Sequence, residues 1–261
     1  MAEGTRLLSG RPAKTGPRVR IPPSPLRAPG SSAGPRGRVA AVTTRDLEQA
    51  LADARREVDR AGAALRGKLA GNEMAAFAAA HDRLLEAERA LAEARDEEHA
   101  VPCAGFPPWD VGAPLPHLFT ERRNATLVYL TREPDPTWDG TTARMVNSQE
   151  LHLVAVVRFH LVVSVRIGTP NDEVLRGHPL SGKGLSAHEP LVVMRSSWLS
   201  ELRRINAVHS GYNPASWERF RHYLLPFHDE AFECVAESFT ARTKLTSLRG
   251  ACRDALEELL V

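Results

Sequence analysis

The spacing of hydrophobic positions changes character twice along the chain. From Thr43, the residues Leu47, Leu51, Ala54, Val58, Ala61 and Leu65 recur at alternating spacings of four and three, one apolar stripe of an amphipathic helix. Thr43 followed three positions later by Asp46 reads as a capping box at its start. After a break at "GKLAGNE", Phe77, Ala80, Leu84, Ala87, Leu91 and Ala94 repeat the spacing. Two such stripes joined by a short glycine-bearing loop predict an antiparallel helical hairpin over 42–99, of the coiled-coil kind, in which alanines let the axes approach closely. A two-helix hairpin needs a third surface, which makes it a candidate for a protein partner or a homodimer.

"VPCAGFPPWDVGAPLP" is too rich in proline for a helix or a central strand and predicts a connector over 100–124. Beyond it the period becomes two. Residues 125–131 alternate as a strand, and in "LHLVAVVRFHLVVSVRI" every odd position from Leu151 to Ile167 is apolar. Seventeen residues exceed the usual ~5–6 of a strand, so a bend near Arg158, or two strands run together, is expected. The even face, with His152, Arg158, His160 and Arg166, is partly polar and is expected to line a cleft or lie under the helical hairpin.

A long Gly- and Pro-rich loop follows, from Gly168 to Pro190. Ser197 is placed to cap a helix turning Trp198, Leu199, Leu202 and Ile205 inward, and Asn213-Pro214 starts a second, short helix ending near Phe220. "RHYLLPFHDEAFECVAES" reads as a β-hairpin turning at Asp229-Glu230. With Phe227 opposite Phe232, Leu225 opposite Cys234 and Tyr223 opposite Ala236, one face is wholly apolar, and His222 stands across from Glu237. Leu245, Leu248, Cys252, Leu256 and Leu259 then predict a C-terminal helix over 241–261. Strands first and helices after, without βαβ alternation, give an α+β body over 125–240 with a mostly antiparallel sheet.

Composition alters this picture at the N-terminus. Residues 1–40 hold seven prolines, six glycines, eight basic residues and one acidic residue. They have too few apolar residues to offset the entropy of ordering, so 1–41 is expected to be disordered. The other 221 residues carry 26 basic and 31 acidic groups, so the overall +2 conceals a mildly acidic folded part and argues against nucleic acid as a partner. No uninterrupted apolar run is long enough to span a membrane. Three cysteines, Cys103, Cys234 and Cys252, without a CxxC pair, suggest reduced thiols in a cytoplasmic setting. "GPRVRIPPSPL", residues 16–26, resembles a translated transfer-RNA gene end, which implies a native start near Val42.

Few motifs carry chemistry on their own. "GHPLSGKG", residues 177–184, nearly spells a phosphate-binding loop, but Gly184 stands where the magnesium-binding hydroxyl belongs and Pro190 interrupts the helix that should follow. This segment reads as a flexible surface loop, and no cofactor is predicted. There is no HExxH, HxH or GxSxG. Cys234 points into the core in the hairpin register and is kept from His222. A divalent metal site would have to be assembled in space from His178, His188, His222, His228 and Asp229.

Three segments, "GTPNDEVLRGHPLSGKGL", "SSWLSELRRINAVH" and "HYLLPFHDEAFECVAES", together resemble the signature of a family of uncharacterised bacterial proteins. The resemblance spans roughly 106–238 and implies one folded body, with no activity attached. Two functions from different classes follow. In the first, the 168–189 loop and the 228–231 turn form the recognition surface of a binding module. In the second, a small hydrolase or transferase, possible metal assistance included, uses His178 and His228 with Asp172, Asp229 or Glu230 as acid and base, which requires the two histidines to converge.

Overall fold

The computed structural model describes residues 42–66, 71–132 and 147–260, so the expectations for 1–41 lie outside the described residues. The helical hairpin is present as α1 (Thr44–Leu65) and α2 (Gly71–Ala94). Thr43 caps α1 as its spacing implies: its hydroxyl accepts from the Asp46 amide, and the Asp46 carboxylate accepts from the Thr43 amide at 2.9 Å. Ion pairs Arg83–Glu57 and Arg95–Glu48, both 2.6 Å, tie the helices antiparallel.

Behind the hairpin, nine strands form two sheets, all paired antiparallel among the described residues. β1 (His99–Pro102), β6 (Leu191–Met194), β7 (Arg221–Pro226), β8 (Ala231–Ala236) and β5 (Ser164–Gly168) lie in that order in a five-stranded sheet. β2 (His117–Glu121), β3 (Asn124–Leu130), β4 (Leu151–His160) and β9 (Ser238–Ser247) make a four-stranded sheet. The fold is α+β, with helices packed on a sandwich of two sheets where alternation alone suggested one.

The period-two pattern explains the sandwich. Ala155, Val157 and Phe159 of β4 face inward with Leu127 and Tyr129 of β3, against Tyr223, Leu225, Phe232 and Cys234 of the other sheet. Phe159 anchors this core, its ring lying 5.2 Å from that of Phe232 and 5.6 Å from that of Tyr223. The long alternating stretch is two strands: Leu161, at φ +53°, ends β4, and the chain crosses to the other sheet as β5. The bend therefore falls three residues beyond Arg158.

The expected cleft on the even face of β4 is not there. Val154 and Val156 are buried under α4 (Leu248–Leu259), which packs Leu248, Ala251 and Ala255 against them, so the C-terminal helix covers this face and not the hairpin. That helix starts at Leu248, capped by Ser247, and residues 241–247 belong to β9, where Leu245 is exposed. The Thr and Lys residues that interrupt β9's apolar pattern lie on an edge strand, which is why the strand was not legible. The segment 100–124, expected to be a connector throughout, holds part of β1 at its start and all of β2 near its end, because the prolines concentrate between them; β6 follows the long loop. The helix predicted from Ser197 is α3 (Ser197–Asn206), capped one residue earlier by Ser196, with Ile205 exposed. Asn213 caps a 3-10 turn that ends at Trp217, short of Phe220.

The β7–β8 register differs from expectation by two residues: Leu225 pairs with Phe232, Tyr223 with Cys234 and His222 with Val235. A two-residue shift leaves the same side chains on each face, so hydrophobic pattern cannot choose between the two registers. Turn closure does. The Phe227 amide donates to the Glu230 carbonyl at 2.9 Å, so the turn centres on His228-Asp229.

Truncating the ring that joins the two sheets should be costly. Phe159→Ala should lower unfolding free energy by about 3–5 kcal/mol with little change in denaturant m-value, measured by urea unfolding. A loss below about 1 kcal/mol would show that the two sheets do not depend on this contact.

Candidate functional site

The long loop is folded back on the β7–β8 turn by main-chain bonds. The Asp172 amide donates to the His228 carbonyl, and the His188 amide to the Pro226 carbonyl, both at 3.1 Å. Between them, residues Asp172–Gly177 form a 3-10 turn, entered from Asn171. His188 adopts φ +59°, a left-handed conformation uncommon for a side chain of its size. The 168–189 loop and the 228–231 turn are therefore one surface.

Three side chains converge there. The Asp172 carboxylate Oδ2 lies 2.8 Å from His228 Nδ1 and 3.2 Å from His188 Nε2, and the two imidazole centroids are 6.4 Å apart. One donor atom from each residue fits within a mutual separation of 4.8 Å, the spacing required of ligands to one cation. The side chains of Asp172, His188 and His228 are 17%, 25% and 43% exposed, so the cluster is rooted in the protein and open on the His228 side. Asp172 Oδ1 and His188 Nδ1 are buried without a hydrogen-bond partner among the described residues. Burial pulls the Asp172 carboxyl upward, but the hydrogen bond from His228 and the charges of His228 and His188 outweigh it and hold the group below its ordinary value. The same bond to Asp172 raises His228.

The pairing required of an acid–base enzyme, His178 with His228, is replaced by His188 with His228. His178 closes the 3-10 turn, accepts from the Leu180 amide on its Nδ1 at 3.1 Å and stands in the field of Glu233, Arg166 and His222. Burial lowers its pKa. Asp229 is exposed at the turn tip. Glu230 is half-buried; burial and the neighbouring Asp229 raise its carboxyl, and it joins neither cluster. His222 is not at the metal-type cluster either. It belongs to a second, buried network.

In that network Ser196 Oγ lies 2.8 Å from His222 Nδ1, His222 Nε2 lies 2.8 Å from Glu233 Oε2, and Arg166 grips both Glu233 oxygens at 2.8 Å. The Leu199 amide also donates to Ser196 Oγ at 3.0 Å, so the hydroxyl joins the helix cap to the imidazole. Trp198 stacks under the Arg166 guanidinium and edge-on to His222. Ser196 is the cap of α3, so the network fastens that helix to the outer face of the five-stranded sheet. Ser196, Glu233 and Arg166 were not foreseen as partners. Their signal was the alternation that puts Glu233 and His222 on one face, and the two-residue register error obscured it.

The near-phosphate loop is also fixed. The Glu88 carboxylate accepts from the Gly184 amide at 3.1 Å, and Arg89 donates to the carbonyls of Ala100 and Gly184 at 3.1 Å each. A carboxylate thus holds an amide that a phosphate would need. Gly184, at φ +81°, is also the only residue that fits, since an added Cβ would lie 2.6 Å from the Ala100 carbonyl oxygen. The expected flexible surface loop is clamped to α2. As for the cysteines, burial pushes Cys103 up to about 12 and Cys234 further, so neither supplies a thiolate nucleophile. No helix among the described residues is long and apolar enough to cross a membrane. Comparisons with protein-family models, curated proteins and solved structures find no match.

The Glu233 network makes stability depend on acid. Burial raises this carboxyl, but hydrogen bonds from His222 and Arg166 outweigh it and bring it down to about 2 from an ordinary 4.5. A depressed carboxylate contributes stability that is fully present above the unfolded value and is lost as pH falls from about 4.5 toward 2, at most about 3 kcal/mol. Urea midpoints of the wild type should therefore fall steeply over that window, and Glu233→Gln should be less stable at pH 7 with a shallower acid limb. Parallel acid limbs in the two proteins would contradict this account.

Proposed function

We propose that this chain is a ligand-binding module whose binding surface is the 168–189 loop clasped on the 228–231 turn, with Asp172, His188 and His228 as its polar centre. The observation that carries this reading is the buried, unpartnered Asp172 Oδ1 beside two imidazoles, in a cluster half-open to solvent. A buried acceptor without a donor costs about 1–3 kcal/mol, which a bound cation or hydrogen-bond donor would recover. The loop is tied to the turn by two main-chain bonds, Asp172 to His228 and His188 to Pro226, so binding need not order a loose segment.

A second reading, a small hydrolase, draws on the His228–Asp172 pair. A carboxylate on Nδ1 fixes the imidazole and leaves its other nitrogen, without a partner among the described residues, to take a proton from substrate or water. Loss of p-nitrophenyl ester hydrolysis in His228→Gln, with folding intact, would favour it over simple binding.

The binding reading is tested by thermal shift with ethanolamine, whose ammonium and hydroxyl are donors, and with Mg2+ and Zn2+ as probes. At least one should raise the unfolding midpoint of the wild type, saturably, and fail to do so in Asp172→Ala. If no probe shifts the wild type, or the shift persists in the variant, the surface is not a binding site for these classes.

A further inference from the structure

We infer that the ligand of this surface is a divalent transition ion of the zinc class, held by Asp172, His188 Nε2 and His228 Nδ1; this rests on the binding reading given under "Proposed function". Two imidazoles and one carboxylate suit Zn2+, Co2+, Ni2+ or Fe2+, whereas Mg2+ and Ca2+ require an oxygen-rich set.

The distances suit an ion. With metal–ligand bonds of ~2.0 Å in a tetrahedron, donor atoms stand ~3.3 Å apart. The Asp172 Oδ2 separations from His188 Nε2 and His228 Nδ1, 3.2 and 2.8 Å, are close to that edge, so small side-chain rotations suffice. Asp172 Oδ1 gives the carboxylate a second oxygen, without a hydrogen-bond partner among the described residues. On binding, the proton that His228 Nδ1 holds toward Asp172 is given up and Nε2 carries the ring's one proton, so a neutral imidazole offers its Nδ1 lone pair to the ion.

Backbone geometry supports preorganisation. Each of the three residues is referred to the same tight turn: His228 lies within it, Asp172 is bonded to the His228 carbonyl, and His188 to the carbonyl of Pro226 at its foot. The left-handed backbone of His188 is the kind of local strain found where a side chain must be aimed. Among the described residues the cluster offers three protein donors and is 43% exposed at His228, so water would complete the coordination shell. Structural zinc sites close all four positions with protein; sites that keep one open are those that act on a further ligand.

The test uses the full chain, stripped of metal with chelator and titrated by calorimetry with Zn2+ and separately with Co2+. Binding should be one to one. The Co2+ form should develop the intense visible absorption of a four- or five-coordinate centre. His228→Gln and Asp172→Asn should each weaken Zn2+ binding by about a hundredfold or more, while His178→Gln, outside the cluster, should leave it unchanged. His228 is half-exposed at a turn, so its substitution leaves the fold intact, as circular dichroism would verify. Absence of stoichiometric Zn2+ and Co2+ binding, or binding that survives both ligand substitutions, overturns the inference. If ethanolamine or Mg2+ still gives an Asp172-dependent thermal shift, the binding reading stands and only the metal assignment falls. If no probe binds, both fall.

Discussion

The aromatic packing between the two sheets is the contact on which the other features depend. Phe159, Tyr223, Phe232 and Phe239 meet with Phe106 in a layer with almost no solvent exposure, and each comes from a different strand or connector. Because β4 is buried on both faces, its position sets the depth of α4 on one side and the height of β7 and β8 on the other. The outer face of the five-stranded sheet is thereby a fixed platform. His222 and Glu233 stand on it, and His228 caps the turn at its end.

On this platform two polar clusters have different characters. In the Ser196–His222–Glu233–Arg166 chain the first three are buried and hydrogen-bonded, and Arg166 reaches Glu233 from the solvent side, which is how the buried carboxylate is made tolerable. The Asp172–His188–His228 group is half-open and retains unpartnered atoms. A satisfied buried network specifies a fold; an incompletely satisfied one at the surface is where a ligand adds most. His178, across the 3-10 turn from Asp172, stands in the field of the first cluster's Glu233, Arg166 and His222.

How much of this was legible in the sequence varied with the physical signal. The capping box at Thr43, the helical stripes and the alternation of β3 and β4 report local periodicity, which is a property of neighbours along the chain. The edge strand β9 was missed because its outward Thr, Arg and Lys residues break the apolar pattern. Register was uncertain by two residues because the side-chain period of a strand is two, and only a turn bond separates the alternatives. Asp172 and His228 were recognisable as loop and turn residues with chemical potential. That His188 and not His178 would join them depends on main-chain bonds across 56 and 38 positions, Asp172 to His228 and Pro226 to His188, which no local pattern encodes.

The clamp between α2 and the Gly184 loop ties two otherwise separate motions. Glu88 and Arg89, adjacent on one helix, hold the loop by its amide and its carbonyl while Arg89 also reaches the carbonyl of Ala100 at the start of the sandwich. Any opening that lifts the hairpin from the body must release all three bonds together. The loop's amide protons would then exchange with solvent at the rate of hairpin detachment, and the helical arm and the rim of the binding surface would open as one cooperative unit.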